Sequence, residues 1–296
     1  SWLYAGALLV GASYTVFFGG NALDAAVSAV LSVILCFLVL KLSDKTPNLI
    51  GFNVIASFII GILVCAAGYL LPTLSLETTL SGIIMVVIPG LAMTNSIRDM
   101  LSGDTLAGLM RFAESILWTA ALVFGFTVAF MLMGLSVHTE VPAQNYLIKY
   151  AAVLPATVGI LLFDFSRRKL FILGIIGAMI SYPFYVLVQM TGPASEFLPV
   201  FTASIVAAVY SEILAHKWRV PTAVFFAVAV MPLIPGRLLF STVNFVVQSN
   251  WAAASEIGNT AAMTSLGIAT AICIVWTISR TWENLRISKR VANLVP

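Results

Sequence analysis

Arg237 follows Pro235 and Gly236 directly, inside a long apolar run. A guanidinium near the centre of a bilayer is costly and pairs with an acid or a ligand, and its planar fork matches a carboxylate. Ser241, Thr242 and Asn244 follow with small polar groups. A second apolar run breaks in the same way. Ile88-Pro89-Gly90 lies 146 positions before Ile234-Pro235-Gly236, and Thr94, Asn95 and Ser96 come after it. Proline removes a helix hydrogen bond and clashes with the preceding turn, while glycine lets the chain leave helical geometry. In lipid the freed backbone groups survive only in protein or beside a wet cavity. Each break exposes the N-terminus of a half-helix, with free N–H groups and partial positive charge. Two such termini at one point make an anion site. The expected substrate-binding residues are therefore Pro89, Gly90, Thr94, Asn95, Pro235, Gly236, Arg237, Ser241 and Asn244. Their chemistry is recognition of a small carboxylate.

Coupled movement of such a solute needs an ion, and acids within a membrane are proton-carrier candidates. Asp24 and Glu114 are the best placed. Arg98 and Asp99, adjacent near the end of a span, read as a gate or as topogenic charges. Arg111 lies three residues before Glu114 on one helix face and reads as its local partner. No pattern marks a sodium site. The two histidines, His138 and His216, fall in different joints, and HExxH, GxSxG, GxGD and P-loop motifs are absent. No catalytic residue, metal centre, cofactor or nucleic-acid partner is expected, and the chain does not read as an enzyme. Cys36, Cys65 and Cys273 sit in apolar runs and read as buried packing. A channel, selective through rings of carbonyls or charges, stays open as a rival.

The elements that must position these residues follow from composition. The chain has 296 residues, 60% hydrophobic and 9% charged, with mean hydropathy +1.04. A soluble domain carries roughly 25% charged residues, so this is an all-α integral membrane protein in a lipid bilayer. Spans of about 20 apolar residues fall near 2–19, 24–41, 49–71, 77–100 and 105–135, then near 146–163, 169–190, 196–214, 219–248 and 254–281. That predicts ten transmembrane helices, with the fourth and ninth broken. With the N-terminus in the cytoplasm, the inner joints hold Lys41, Lys45, Arg98, Arg111, Arg167, Arg168, Lys169, Lys217 and Arg219. The C-terminal tail adds Arg280, Arg286, Lys289 and Arg290. Lys149 is the one basic residue of the outer joints, which otherwise carry acids: Asp24, Glu77, Glu140, Glu196 and Glu256. This asymmetry predicts that both termini are cytoplasmic. The chain is apolar from its first residues, which predicts an upstream segment in the full protein, and no basic flank marks a cleavable signal peptide.

The 146-residue offset recurs elsewhere. Pro47 maps onto Pro193, the joint at 72–76 onto 218–222, and the polar stretch 98–104 onto 244–250. Two modules are expected, 1–142 and 143–296, each with five spans. Five is odd, so the second module enters the membrane from the opposite side. Such inverted-topology repeats build many secondary transporters. Small residues such as Gly174 and Ala178 suit close helix packing and a homo-oligomer.

The run Ile83-Ile84-Met85-Val86-Val87-Ile88-Pro89-Gly90-Leu91-Ala92-Met93-Thr94-Asn95-Ser96-Ile97-Arg98-Asp99, followed by Leu101-Ser102-Gly103-Asp104, resembles the threonine/serine exporter (ThrE) family. Met231-Pro232-Leu233-Ile234-Pro235-Gly236 resembles the mark of that family's second membrane module. The resemblance implies a multi-pass inner-membrane exporter of L-threonine and L-serine, driven by the proton motive force. Some members are split into two proteins, one per module, and are associated with dicarboxylate export. A soluble cytoplasmic segment usually precedes the first span in that family and is not in this sequence. The expectation is a proton-coupled secondary transporter that exports small carboxylate-bearing solutes. Dicarboxylate export is the alternative.

Overall fold

The computed structural model describes residues 2–46, 48–135, 145–164, 171–192 and 195–292. Pro47, His138, Glu140, Arg167, Arg168, Lys169 and Pro193 lie outside the described residues, as do the side chains of Arg286, Lys289 and Arg290. All regular structure among the described residues is helical. The first half holds α1 (Trp2–Phe17), α2 (Ala22–Leu42), α3 (Leu49–Leu70), α4 (Leu76–Ile84), α5 (Gly90–Leu101) and α6 (Thr105–Leu132). The second holds α7 (Tyr146–Asp164), α8 (Phe171–Gln189), α9 (Phe197–Trp218), α10 (Thr222–Ala229), α11 (Gly236–Val247) and α12 (Trp251–Ala292).

Local chemistry sets the ends. Asn21 accepts from the N–H of Leu23 and Asp24, and Asp24 returns a carboxylate to the Asn21 N–H, which closes a capping box on α2. Asn48 and Ser75 cap α3 and α4 through their side chains. Asp104 occupies the cap position of α6, but its side chain makes no capping bond. The ends of α9 and α10 are tied by Glu212, which accepts from Thr222 Oγ1 at 2.6 Å and Ser279 Oγ at 2.7 Å.

Six helices are long and apolar enough to cross a bilayer by themselves: α2, α3, α6, α8, α9 and the Trp251–Trp282 part of α12. A seventh crossing is made if α10 and α11, bent by 48°, act as one. The other three expected spans differ for physical reasons. The apolar parts of α1 and α7 are shorter than 18 residues, and the fourth is split into a nine-residue α4 and a polar twelve-residue α5. Large apolar side chains such as Val30, Ile55, Phe124, Leu187 and Ile213 remain well exposed. An exposed apolar surface of that extent belongs against lipid.

Two apolar clusters form the core. One gathers α2, α3, α4 and α6 with Phe240, and the other gathers α7 to α10 with α12. A third joins the halves: Val10, Tyr14, Ala156 and Ile160 pack with Met85, Val86 and Met231 from the two breaks. Around this centre α1 runs along α7, α5 along α12, and α11 along α6.

A very close helix approach in the first half is at Gly82 on α4. A Cβ there would lie 2.0 Å from Thr15 Oγ1 and 2.4 Å from the Gly11 carbonyl oxygen. Backbone cannot yield as a flexible side chain does, so Gly82→Ala is expected to lose about 1–3 kcal/mol of stability. Thermal unfolding in detergent, followed by tryptophan fluorescence, checks this. An unchanged midpoint would mean that α1 and α4 separate freely.

Candidate functional site

The two breaks have one geometry. Pro89 has φ −81° and ψ 42°, and Pro235 has φ −80° and ψ 37°. In each, the following glycine N–H donates to the carbonyl two residues back, Gly90 to Ile88 and Gly236 to Ile234, both at 2.9 Å. This tight turn stops the preceding helix and re-aims the chain. The next intrahelical bonds begin at Met93 and Leu239. The N–H groups of Leu91 and Ala92, and of Arg237 and Leu238, thus head their helices without a partner in the same helix. Freed carbonyls at the second break are satisfied from neighbours: Ser181 Oγ donates to Ala229 O at 2.7 Å, and the Tyr14 hydroxyl to Met231 O at 3.3 Å.

The breaks meet. A Cβ on Gly90 would lie 3.1 Å from Gly236 Cα and 2.7 Å from Ile234 Cγ2. One on Gly236 would lie 2.8 Å from Ile88 Cγ2. Only glycine at both positions permits this crossing. A cleft of about 150 Å³ beside it is lined by apolar groups of both breaks, among them Met85, Ile88, Met231 and Ile234, and by Tyr14.

Beside the Pro235 break lies a cavity of about 270 Å³. Arg237, Lys149, Glu196, Tyr182 and Tyr185 line it, and Thr260 and Thr264 of α12 form another wall. Arg237 is half-buried; its Nε donates to Ser81 Oγ at 2.9 Å, and its guanidinium stacks 5.4 Å from the Phe18 ring centre. Glu77 is the carboxylate whose charge acts on it. Lys149 lies between the rings of Phe17 and Tyr146, at 5.7 and 5.8 Å, and feels the charges of Glu196 and Arg237. The Tyr182 side chain is 1% exposed, and its hydroxyl finds no hydrogen-bond partner among the described residues. Such an orphan beside a cavity is a donor open to a solute.

A second cavity, of about 280 Å³, adjoins the Pro89 break. Pro89, Ala92, Asn95, Arg111, Glu114 and Trp118 are among its lining residues. Subtracting 146 from Pro235, Leu238, Thr260 and Thr264 of the first cavity gives Pro89, Ala92, Glu114 and Trp118 of the second. The same shift carries the starts of α10, α11 and α12 onto those of α4, α5 and α6.

The residues expected at the site do not share one space. Gly90, Pro235 and Gly236 form or flank the crossing, and Arg237 faces the first cavity. Asn95 faces the second. Asn244 lines a third, beside Phe126 and Phe240. Ser241 is buried, and the buried Thr94 hydroxyl donates back to the Gly90 carbonyl at 3.1 Å. Asp24, 1% exposed, accepts from Asn21 N, Ser75 N and Thr78 Oγ1, so it joins the starts of α2 and α4. Arg111 does not pair with Glu114. It reaches Asp99 at 2.7 Å, which also holds Arg98 at 2.7 Å. The carboxylate at the end of α5 offers two oxygens to two guanidiniums, whereas Glu114 is exposed. Sequence reasoning missed Lys149, Glu196, Tyr182 and Tyr185 as cavity groups. The available signal was that Lys149 alone broke the charge asymmetry of the outer joints.

Two family models match the chain, one in each half. A family model described as "Putative threonine/serine exporter" matches residues 2–133, and one described as "Threonine/Serine exporter, ThrE" matches residues 148–278. The chain is 25% identical over 175 residues to a threonine/serine exporter of Corynebacterium glutamicum. That match covers 54% of this chain and 35% of the relative, so it spans about a third of the relative's length. No solved structure matches the chain. Each matched segment contains one Pro-Gly break, and with both modules present this multi-pass membrane protein belongs to the threonine/serine exporter (ThrE) family.

Proposed function

We propose that the chain is a secondary active exporter of small carboxylate-bearing solutes, L-threonine and L-serine foremost, driven by the proton motive force across the inner membrane. The observation that carries this is the pair of cavities related by the 146-residue shift, one at each side of the Gly90–Gly236 crossing. With both termini cytoplasmic, α11 runs outward from the crossing and α5 runs inward. The Arg237 cavity then faces the periplasm and the Glu114 cavity the cytoplasm. Equivalent cavities on opposite faces are what two inverted repeats supply, and small rotations about the crossing would open one as the other closes. The threonine/serine exporter relative favours an amino-acid substrate. The two cations Lys149 and Arg237 also suit a dicarboxylate, which is the second reading.

The proton step is assigned to Glu114, which lines the inner cavity. Asp24 is held by three donors and assigned to the architecture. The Arg98–Asp99–Arg111 cluster closes the inner end of α5 and acts as a gate.

The test is flux in proteoliposomes under an imposed pH gradient, with labelled serine, threonine and succinate side by side. Saturable, gradient-dependent movement of serine or threonine is expected. Succinate alone would move the assignment to dicarboxylates, and non-saturating flux that ignores the gradient would leave a channel. In the same assay Glu114→Gln is expected to keep downhill serine exchange while losing most of its response to the gradient, on the order of tenfold. An undiminished response would remove Glu114 from the coupling step.

A further inference from the structure

Glu196 has an unusual arrangement for an acid at a helix start. It occupies the N-cap of α9, where a carboxylate ordinarily accepts the free N–H groups of its own helix. Its side chain makes no such bond. It turns to α8 instead, where the Tyr185 hydroxyl donates to one oxygen at 3.1 Å and Gln189 Nε2 to the other at 3.2 Å. The carboxylate is thereby fixed on the wall of the cavity that also holds Lys149 and Arg237. Tyr182, whose hydroxyl has no hydrogen-bond partner among the described residues, lines the same cavity.

The charges of this cavity discriminate between solutes. Two cations and one anion match a zwitterion, with its carboxylate at Arg237 and Lys149 and its ammonium at Glu196. A dicarboxylate satisfies the cations but brings a second negative charge toward Glu196, and like charges in a partly desolvated site repel strongly. A monocarboxylate without an ammonium brings no cation to Glu196 and forgoes that added attraction. From this geometry, and resting on the export function proposed above, we infer that Glu196 recognises the α-ammonium of the transported amino acid and sets the preference for zwitterions over other carboxylates. Tyr185 and Gln189 are positioning residues that hold it.

L-serine and L-glycerate test this, because they differ only in an ammonium or a hydroxyl at the α-carbon. In proteoliposomes of the full chain, wild-type protein is expected to show a KM for serine lower than that for glycerate by roughly ten- to a hundredfold, the scale of one charge-assisted hydrogen bond. Glu196→Gln should raise the serine KM toward the glycerate value, with the glycerate KM unchanged or lower and the maximal rate little altered. Glu196→Asp should restore part of the preference, and Tyr185→Phe should narrow it by a few fold. Equal KM increases for both probes in Glu196→Gln would overturn the inference and make Glu196 a mere neutraliser of Lys149. Because that variant could misfold, thermal stabilisation of the detergent-purified wild type by each probe gives an independent measure. Equal stabilisation by serine and glycerate overturns the inference without any mutation. Wild-type protein that distinguishes the probes in binding yet carries neither across the bilayer would sink the export reading while leaving the ammonium site in place.

Discussion

Arg237→Ala is expected to reduce saturable serine flux by roughly thirty- to several-thousand-fold, the range that follows from losing one partly buried, hydrogen-bonded charge at a recognition site. Three observations set this size. Arg237 directly follows the Pro235 break, it lines the cavity of about 270 Å³ beside that break, and its Nε is anchored on Ser81 of the opposite half. Alanine removes the counter-charge for a carboxylate and also the stacking on Phe18. Two further variants separate those losses. Arg237→Lys keeps the charge but lacks the planar fork and should retain a small part of the flux. Ser81→Ala deletes only the anchor and should cost less than either. Protein that melts normally and transports normally as Arg237→Ala would exclude this side chain from recognition.

The second large effect belongs to the crossing. Gly90→Val places a branched side chain where the Gly236 Cα would stand 3.1 Å from the Cβ, with Ile234 closer still. The two half-helices have to part, and any rotation about their contact is then obstructed. Flux is expected to fall at least tenfold, with a loss of stability of about 1–3 kcal/mol from overpacking. Gly51→Ala on α3 is the control, because its Cβ would meet nothing closer than Asn48 Cγ at 4.0 Å. That variant should transport normally, and a normal rate in Gly90→Val would show that the crossing is no pivot.

Much of the architecture was legible because proline and glycine punctuate a chain through sterics alone. Ile88-Pro89-Gly90 and Ile234-Pro235-Gly236 marked the starts of α5 and α11 to the residue, and the shift between them also relates the starts of α6 and α12. What was not legible is where a polar side chain finds its partner. Thr94 read as a ligand group, yet a threonine in a helix reaches its own preceding turn, and in an apolar setting that bond is the nearest one available. Asn21 and Asp24 carry the spacing of a capping box, a local pattern that gives the acid a backbone partner before any ion arrives. Arg111 had Glu114 one turn away but chose Asp99, twelve positions earlier, because the turn at Ser102–Gly103 brings α5 back beside α6. Lys149 read as a loop charge because an inside–outside count of cations records topology and is blind to cavities.

The close meeting of the two breaks has an electrical consequence. Voltage across a membrane drops over whatever part of a path conducts least. If water fills the cavities on either side, that part is the crossing itself, where Gly90 and Gly236 meet beside Ile88 and Ile234. Nearly the whole potential then acts on any charge that passes it, about 2.3 kcal/mol per elementary charge per 100 mV. Under the proton-coupled export proposed above, a zwitterion would carry no net charge past the crossing, so the voltage dependence of its movement would count the coupled protons, whereas a dicarboxylate would add two charges of its own to that count.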